Sequence, residues 1–192
     1  MKEYFRYFRF WFIGLAAVFV VWLFAVGGKM LSGSVGSERT NTECTTEERV
    51  FDVGDKLTPE EENRLREKIR IAEDLCGTDI ILVTLDQSLE EYARSYEDII
   101  GYVEPYQYTM VYADNFYDDG KFGYNKPHGD GLILVDNWYR EADGGVYSWM
   151  LTSGNVMDAF SSGMIDYVLD YSLEVVEDSP YEAYYRFVCE YE

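Results

Sequence analysis

The sequence predicts an α/β fold, a central mixed sheet with helices on both faces, preceded by one N-terminal transmembrane helix. Three observations carry this. Two short apolar runs, Asp79-Ile-Ile-Leu-Val-Thr84 and Gly131-Leu-Ile-Leu-Val135, read as strands covered on both faces. Around them, apolar residues recur at helical spacing behind capping signals. Ahead of both, Phe10 to Val26 carries no charge, and Gly27 and Gly28 extend it to the length a bilayer core requires.

The elements follow in order. Lys2, Arg6 and Arg9 precede the apolar run and Lys29 alone follows closely. The positive-inside rule then places the N-terminus in the cytoplasm and the rest of a single-pass chain outside. A cleaved signal peptide ending at Ala25-Val-Gly27 is the alternative; the length of the run and its aromatic-rich flanks favour an anchor. Residues 1–29 are thus read as cytoplasmic N-terminus and anchor. Residues 30–48 are polar, with Ser32, Gly33, Ser34, Gly36 and Ser37, and read as a flexible linker. The folded domain is expected over 49–192.

Within it, Val50-Phe-Asp52 is a short strand. Thr58 as N-cap, Pro59 at the first helical position and Glu61 closing a capping box start a helix. Leu65, Ile69, Ala72 and Leu75 give that helix its apolar face, and Gly77 stops it. The strand at 79–84 follows. A helix is expected from Ser88, with Glu91 completing a second box, to Val103, and Pro105 breaks it. Helix resumes through Met110, Val111 and Ala113. The strand at 131–135 and a second at Val146–Leu151, joined by a polar turn ending in Gly144-Gly145, suggest an antiparallel hairpin. Helices are expected from Met164 to Val176 and from Ser179 to the end.

Charge narrows the function classes. The formal net charge is -20, and residues 49–192 hold 11 basic against 31 acidic side chains. Such a domain repels phosphate backbones, which excludes nucleic acid as a partner. Cys44, Cys76 and Cys189 are widely spaced and odd in number, which is no disulfide framework and no zinc site. Cys76 and Cys189, on apolar helices, read as buried small hydrophobes. The single histidine, His128, argues against a histidine-rich metal centre and against a Ser-His-Asp triad.

The stretch Tyr112 to Val135 carries the best candidates for chemistry. Asp114, Asp118, Asp119 and Asp130 lie among Gly120, Gly123, Gly129 and Gly131, a composition that turns sharply and offers oxygens to a hard cation. The same pairs also serve ordinary turns. With Gly120 at the sixth position of a helix–loop–helix calcium loop, the first, third and twelfth would be Asn115, Tyr117 and Lys126, so that pattern is absent. A phosphate-cradling glycine loop, a nucleophile elbow and an HExxH pair are absent too. Tyr92, Tyr96, Tyr102, Tyr106 and Tyr108 form a series that reads first as core and rim packing, second as a face for a protein partner.

Taken together, residues 49–192 resemble the TPM domain, the family named from thylakoid lumen, Psb32 and MOLO-1 proteins. The likeness rests on an ordered set: Val50-Phe-Asp52 with Leu57 to Glu62; Gly77 to Thr84; Tyr112-Ala-Asp-Asn-Phe-Tyr-Asp118 with Gly123; Asp130 to Val135; Ser153-Gly154; Ala159-Phe160 before Ile165-Asp166-Tyr167; and Tyr181 to Ala183. One N-terminal membrane segment resembles the bacterial members whose domain faces outward. The resemblance implies a three-layer α/β/α sandwich, in some members calcium at loop aspartates, and in a plant relative acid phosphatase activity. Carried over, the metal residues are Asp114, Asp118, Asp119 and Asp130. Asn155-Val156 stands where the family often has an aromatic-glycine pair, and Ser162 where an aspartate often follows Ala-Phe. Residues 88–108 are also longer than the family's usual segment.

The expectation is therefore a membrane-anchored, extracytoplasmic binding or accessory module that holds a calcium ion or a protein partner at these loops. The alternatives are a metal-assisted phosphatase, in which the cation polarises a phosphoryl oxygen, and a purely structural domain presenting tyrosines to a partner protein.

Overall fold

The structure, a computed structural model, describes residues 38–191. The apolar run at 10–26 and residues 30–37 of the expected linker lie outside the described residues, among which no helix is long and apolar enough to cross a membrane.

Strands β1 (Val50–Asp52), β2 (Asp79–Leu85), β3 (Gly131–Asn137) and β4 (Tyr147–Ser153) form one mixed sheet in that order. β2 runs parallel to β1 and β3, with Leu82 opposite both Val50 and Leu134. β4 returns antiparallel beside β3, pairing Gly131 with Ser153. Every residue of β2 and β3 is buried, which is why both read as continuous apolar runs.

The two-residue period of the strands divides the core. Ile80, Leu82, Leu132, Leu134 and Met150 meet α1 (Pro59–Cys76), α6 (Ser162–Leu173) and α7 (Pro180–Tyr191) through Leu65, Ile69, Val168, Tyr184 and Phe187. Ile81, Val83, Leu85, Ile133 and Val135 meet α2 (Glu90–Arg94) and α4 (Tyr108–Asp119) through Ala93, Val111, Ala113 and Tyr117. The short helices α3 (Glu97–Ile100) and α5 (Val156–Ala159) complete a mixed α/β fold with a four-stranded sheet.

Helix α1 starts as its sequence dictates: the Thr58 hydroxyl accepts from the Glu61 amide, and Glu61 accepts from the Thr58 amide at 2.9 Å. Leu75, expected on its apolar face, is exposed, and so is Cys76.

The expected helix over 88–103 is two short helices instead. The Ser88 hydroxyl and the Leu89 amide are both drawn to the Glu141 carboxylate, at 3.2 and 3.1 Å, so Ser88 leaves the capping position and the chain turns in at Leu89. The expected helix from Met164 begins earlier, because the Ser161 hydroxyl caps it by accepting from the Met164 amide.

The described part of the expected flexible linker, 38–48, packs on the domain. The Asn41 amide group is buried and donates to the carbonyls of Lys121 and Gly123 at 2.8 and 2.7 Å. Arg39 pairs with Glu73 at 3.1 Å and with the fully buried Asp79, and the Arg49 Nε donates to Glu73 at 2.8 Å. Composition alone calls such a stretch a tether; these pairings hold it down.

Candidate functional site

The region rich in aspartate begins where α4 ends. The Gly120 amide bonds to the Phe116 carbonyl at 3.1 Å, and Lys121 takes a left-handed φ of 51°, which turns the chain out of the helix. The loop then folds on itself: the His128 amide donates to Phe122 at 2.8 Å, and Tyr124 to the Asp130 carbonyl at 2.9 Å. Beneath it, the Tyr117 hydroxyl reaches the Gly129 carbonyl at 3.1 Å, and the Gly123 amide donates to buried Asp79 at 2.8 Å. The backbone of the loop is thus held against the domain at Phe122, Gly123, Tyr124 and Gly129.

The four expected metal ligands go to three different places. Asp130 joins loop to loop: its carboxylate accepts from the Asn125 side chain at 2.8 Å, the Asn155 amide at 2.8 Å and the Asn155 side chain at 3.0 Å. Gly154 makes this approach possible, since it sits at φ 63° and a Cβ there would meet the Asp130 carboxylate. Asp118 is exposed and lies 2.8 Å from His128 Nδ1. Asp114 precedes it by one turn of the same helix, and its carboxyl is pushed above the ordinary range by burial and then by the charge of Asp118. Asp119 lies apart, at the rim of a groove described next. Among the described residues no group of three or more His, Cys, Asp or Glu side chains is placed to hold a metal ion. The four aspartates therefore do not form one ligand shell.

The groove of about 420 Å³ is lined by Phe51, Tyr92, Tyr112, Phe116 and Phe122, with Thr45, Thr46, Asp119 and Gly120 at its edges. Its rings form a ladder. Tyr96 meets Tyr92 at 5.4 Å between centroids, Tyr92 meets Tyr112 at 5.3 Å, and Tyr112 stacks on Phe116 at 5.7 Å. Phe116 continues to Phe122 at 6.0 Å, while Phe51 packs edge-on to Phe116 at 5.0 Å. Burial raises the Tyr92 hydroxyl well above its ordinary value, aided by Tyr96 and Asp119, and burial alone raises Tyr112. Both stay protonated at neutral pH.

Of the tyrosine series expected from sequence, Tyr92 and Tyr96 join this ladder. Tyr108 is core, and Tyr102 and Tyr106 are exposed. Sequence reasoning missed the partners from β1 and from the loop after α4. The spacing of four between Tyr92 and Tyr96, and between Tyr112 and Phe116, was the available signal.

A polar cluster, also missed, lies where β3 ends and β4 begins. Asp136 accepts from Ser148 and from the Tyr184 hydroxyl, each at 2.6 Å. Trp138 Nε1 donates to Tyr184 at 3.2 Å, and Lys56 Nζ lies 4.9 Å from the centre of the Trp138 ring. Both Asp136 oxygens are used internally, so this cluster holds β3, β4 and α7 together.

No family model matches the sequence, and no curated protein matches it. Among solved structures it is similar to the solution NMR structure of the N-terminal domain of a protein from P. gingivalis, with a TM-score of 0.50. The likeness is one of fold. The two chains are 15% identical over 74% of this one and 78% of the other.

Proposed function

We propose that this chain is a membrane-tethered, outward-facing binding module of the TPM type, a three-layer α/β/α sandwich whose binding face lies along α4. The observation that carries this reading is the groove bordered by the half-buried rings of Phe51, Tyr92, Tyr112 and Phe116, since concave aromatic surface with a few polar groups at its edge marks binding sites. The phosphatase alternative needs donors or positive charge converging on the reacting group. Here Lys121 pairs with Glu43 at 3.4 Å, and the Asp130 carboxylate is taken by amides. A photoreactive residue at position 92, compared with one at position 185 on α7, tests the reading in living cells. A discrete protein adduct from position 92 alone is expected. Adducts from both positions alike, or from neither, would count against it.

Divalent-cation binding is a second reading, confined to α4. It is favoured by Asp114 and Asp118, exposed carboxyls one turn apart on the same helix, whose mutual repulsion a bound cation would offset. Calcium titration of the full-length chain in detergent micelles should give heat that Asp118→Asn abolishes and Asp130→Asn weakens only through loop stability. No heat and no thermal shift with any divalent ion removes this reading.

A further inference from the structure

We infer that the aromatic groove receives a basic segment of a protein partner, with an arginine or lysine side chain laid across the rings and its charge facing Asp119. The inference rests on the binding reading above and specifies the chemistry of the occupant.

Three observations converge on a cation. The lining includes the half-buried rings of Tyr92, Tyr112 and Phe116, and the part of an aromatic ring left open to solvent attracts a cation laid over it through the ring quadrupole. The charged side chain in the lining is Asp119, and none of the described lining residues is basic. Phe122, buried beneath these rings, holds the buried Arg49 guanidinium 5.5 Å from its centroid, so the ring cluster already accommodates a cation within the fold. The surroundings point the same way. Residues 49–192 hold 11 basic against 31 acidic side chains, a field that draws positive charge toward a low-dielectric cleft.

An arginine or lysine also matches the groove in shape. Its aliphatic stem covers apolar ring surface while its charged end stays at the wet rim. Proline-rich segments dock on aromatic grooves too, but they make no use of a carboxylate at the rim or of the acidic field, so the basic segment is favoured.

The test uses the full-length chain in detergent micelles at physiological salt. Fluorescence anisotropy follows two labelled probes, an alternating arginine-glycine hexapeptide and a neutral proline-rich hexapeptide. Tyr92→Leu and Phe116→Leu remove ring faces without altering charge, so non-specific attraction to the acidic surface leaves them equal to the parent. Asp119→Asn removes the rim charge and touches no core contact. The expected result is arginine-peptide binding weakened roughly fivefold to thirtyfold by each leucine variant, and weakened also by Asp119→Asn. Where a leucine variant lowers the thermal midpoint, Asp119→Asn decides.

Arginine-peptide binding that ignores all three substitutions overturns the inference. If only the proline-rich peptide responds to the leucine variants, the groove remains a binding site and the cationic occupant falls. If neither peptide responds, the inference and the reading beneath it fall together.

Discussion

Asp136 is the residue at which burial and titration meet most directly. It lies on β3 at 3% exposure, and the Ser148 and Tyr184 hydroxyls donate to it. Burial pushes its carboxyl above the ordinary range, and the hydrogen bonds and Lys56 only partly oppose this. A carboxyl raised on folding binds its proton more tightly in the native state than in the unfolded chain. Its contribution to stability is full below the unfolded pKa of about 4 and is lost as pH rises through the elevated native value. Asp136→Asn keeps an acceptor for Ser148 and removes the titration. Urea unfolding from pH 4 to pH 7 should therefore show the variant gaining steadily on the parent as pH rises. A difference that stays level across that range would refute the assignment. The same residue marks a limit of sequence reading. Asp136 lies between the apolar run at 131–135 and the polar turn that begins at Asn137, and only the register of β4 and the approach of α7 enclose it.

At the scale of elements, the segment 38–48 behaves as part of the domain. Its anchors are the pairing of Arg39 with Glu73 and Asp79 and the two carbonyls held by Asn41. A chain beginning at Arg49 leaves fully buried Asp79 with the Gly123 amide and, for a counter-charge, Arg49 at 3.8 Å. It should unfold with roughly 2–4 kcal/mol less stability than a chain beginning at Gly36, short of the full cost of breaking a buried pair because Arg39 is partly exposed. Equal urea midpoints for the two chains would show the segment to be a passive tether. What was legible in the sequence divides along the same line. Strands β2 and β3, the α1 capping box and the hairpin were legible because each is written in local periodicity or a local cap. The packing of segment 38–48, the displacement of Ser88 from its cap by Glu141 and the joining of the Tyr92–Tyr96 pair to the Tyr112–Phe116 pair depend on partners at least twenty residues away, and local pattern carries no trace of those. Of the candidate site, the loop was legible as a loop. The separation of its aspartates was not, because Asp130 is claimed by Asn155, which lies beyond the hairpin.

At the scale of the whole molecule, the proposed membrane tether makes orientation decisive, since it would set what the acidic domain can meet. Acidic residues say little about it, because topology follows lysine and arginine close to the apolar segment. Here Lys2, Arg6 and Arg9 stand before that segment and Lys29 after it. The fold supplies an independent reporter. Cys76 is exposed at the end of α1, whereas Cys44 and Cys189 are only part-exposed. A membrane-impermeant maleimide applied to intact cells should therefore label the chain rapidly at Cys76 if the domain faces outward, and Cys76→Ser should remove the fast phase. An aspartate-rich surface slows the attack by raising the local cost of a thiolate, so the rate is to be compared with that of the same chain after lysis, where the field is unchanged. Equal rates before and after lysis place the domain outside. Labelling that begins only after lysis would place the aromatic groove in the cytoplasm and redirect the search for its basic partner there.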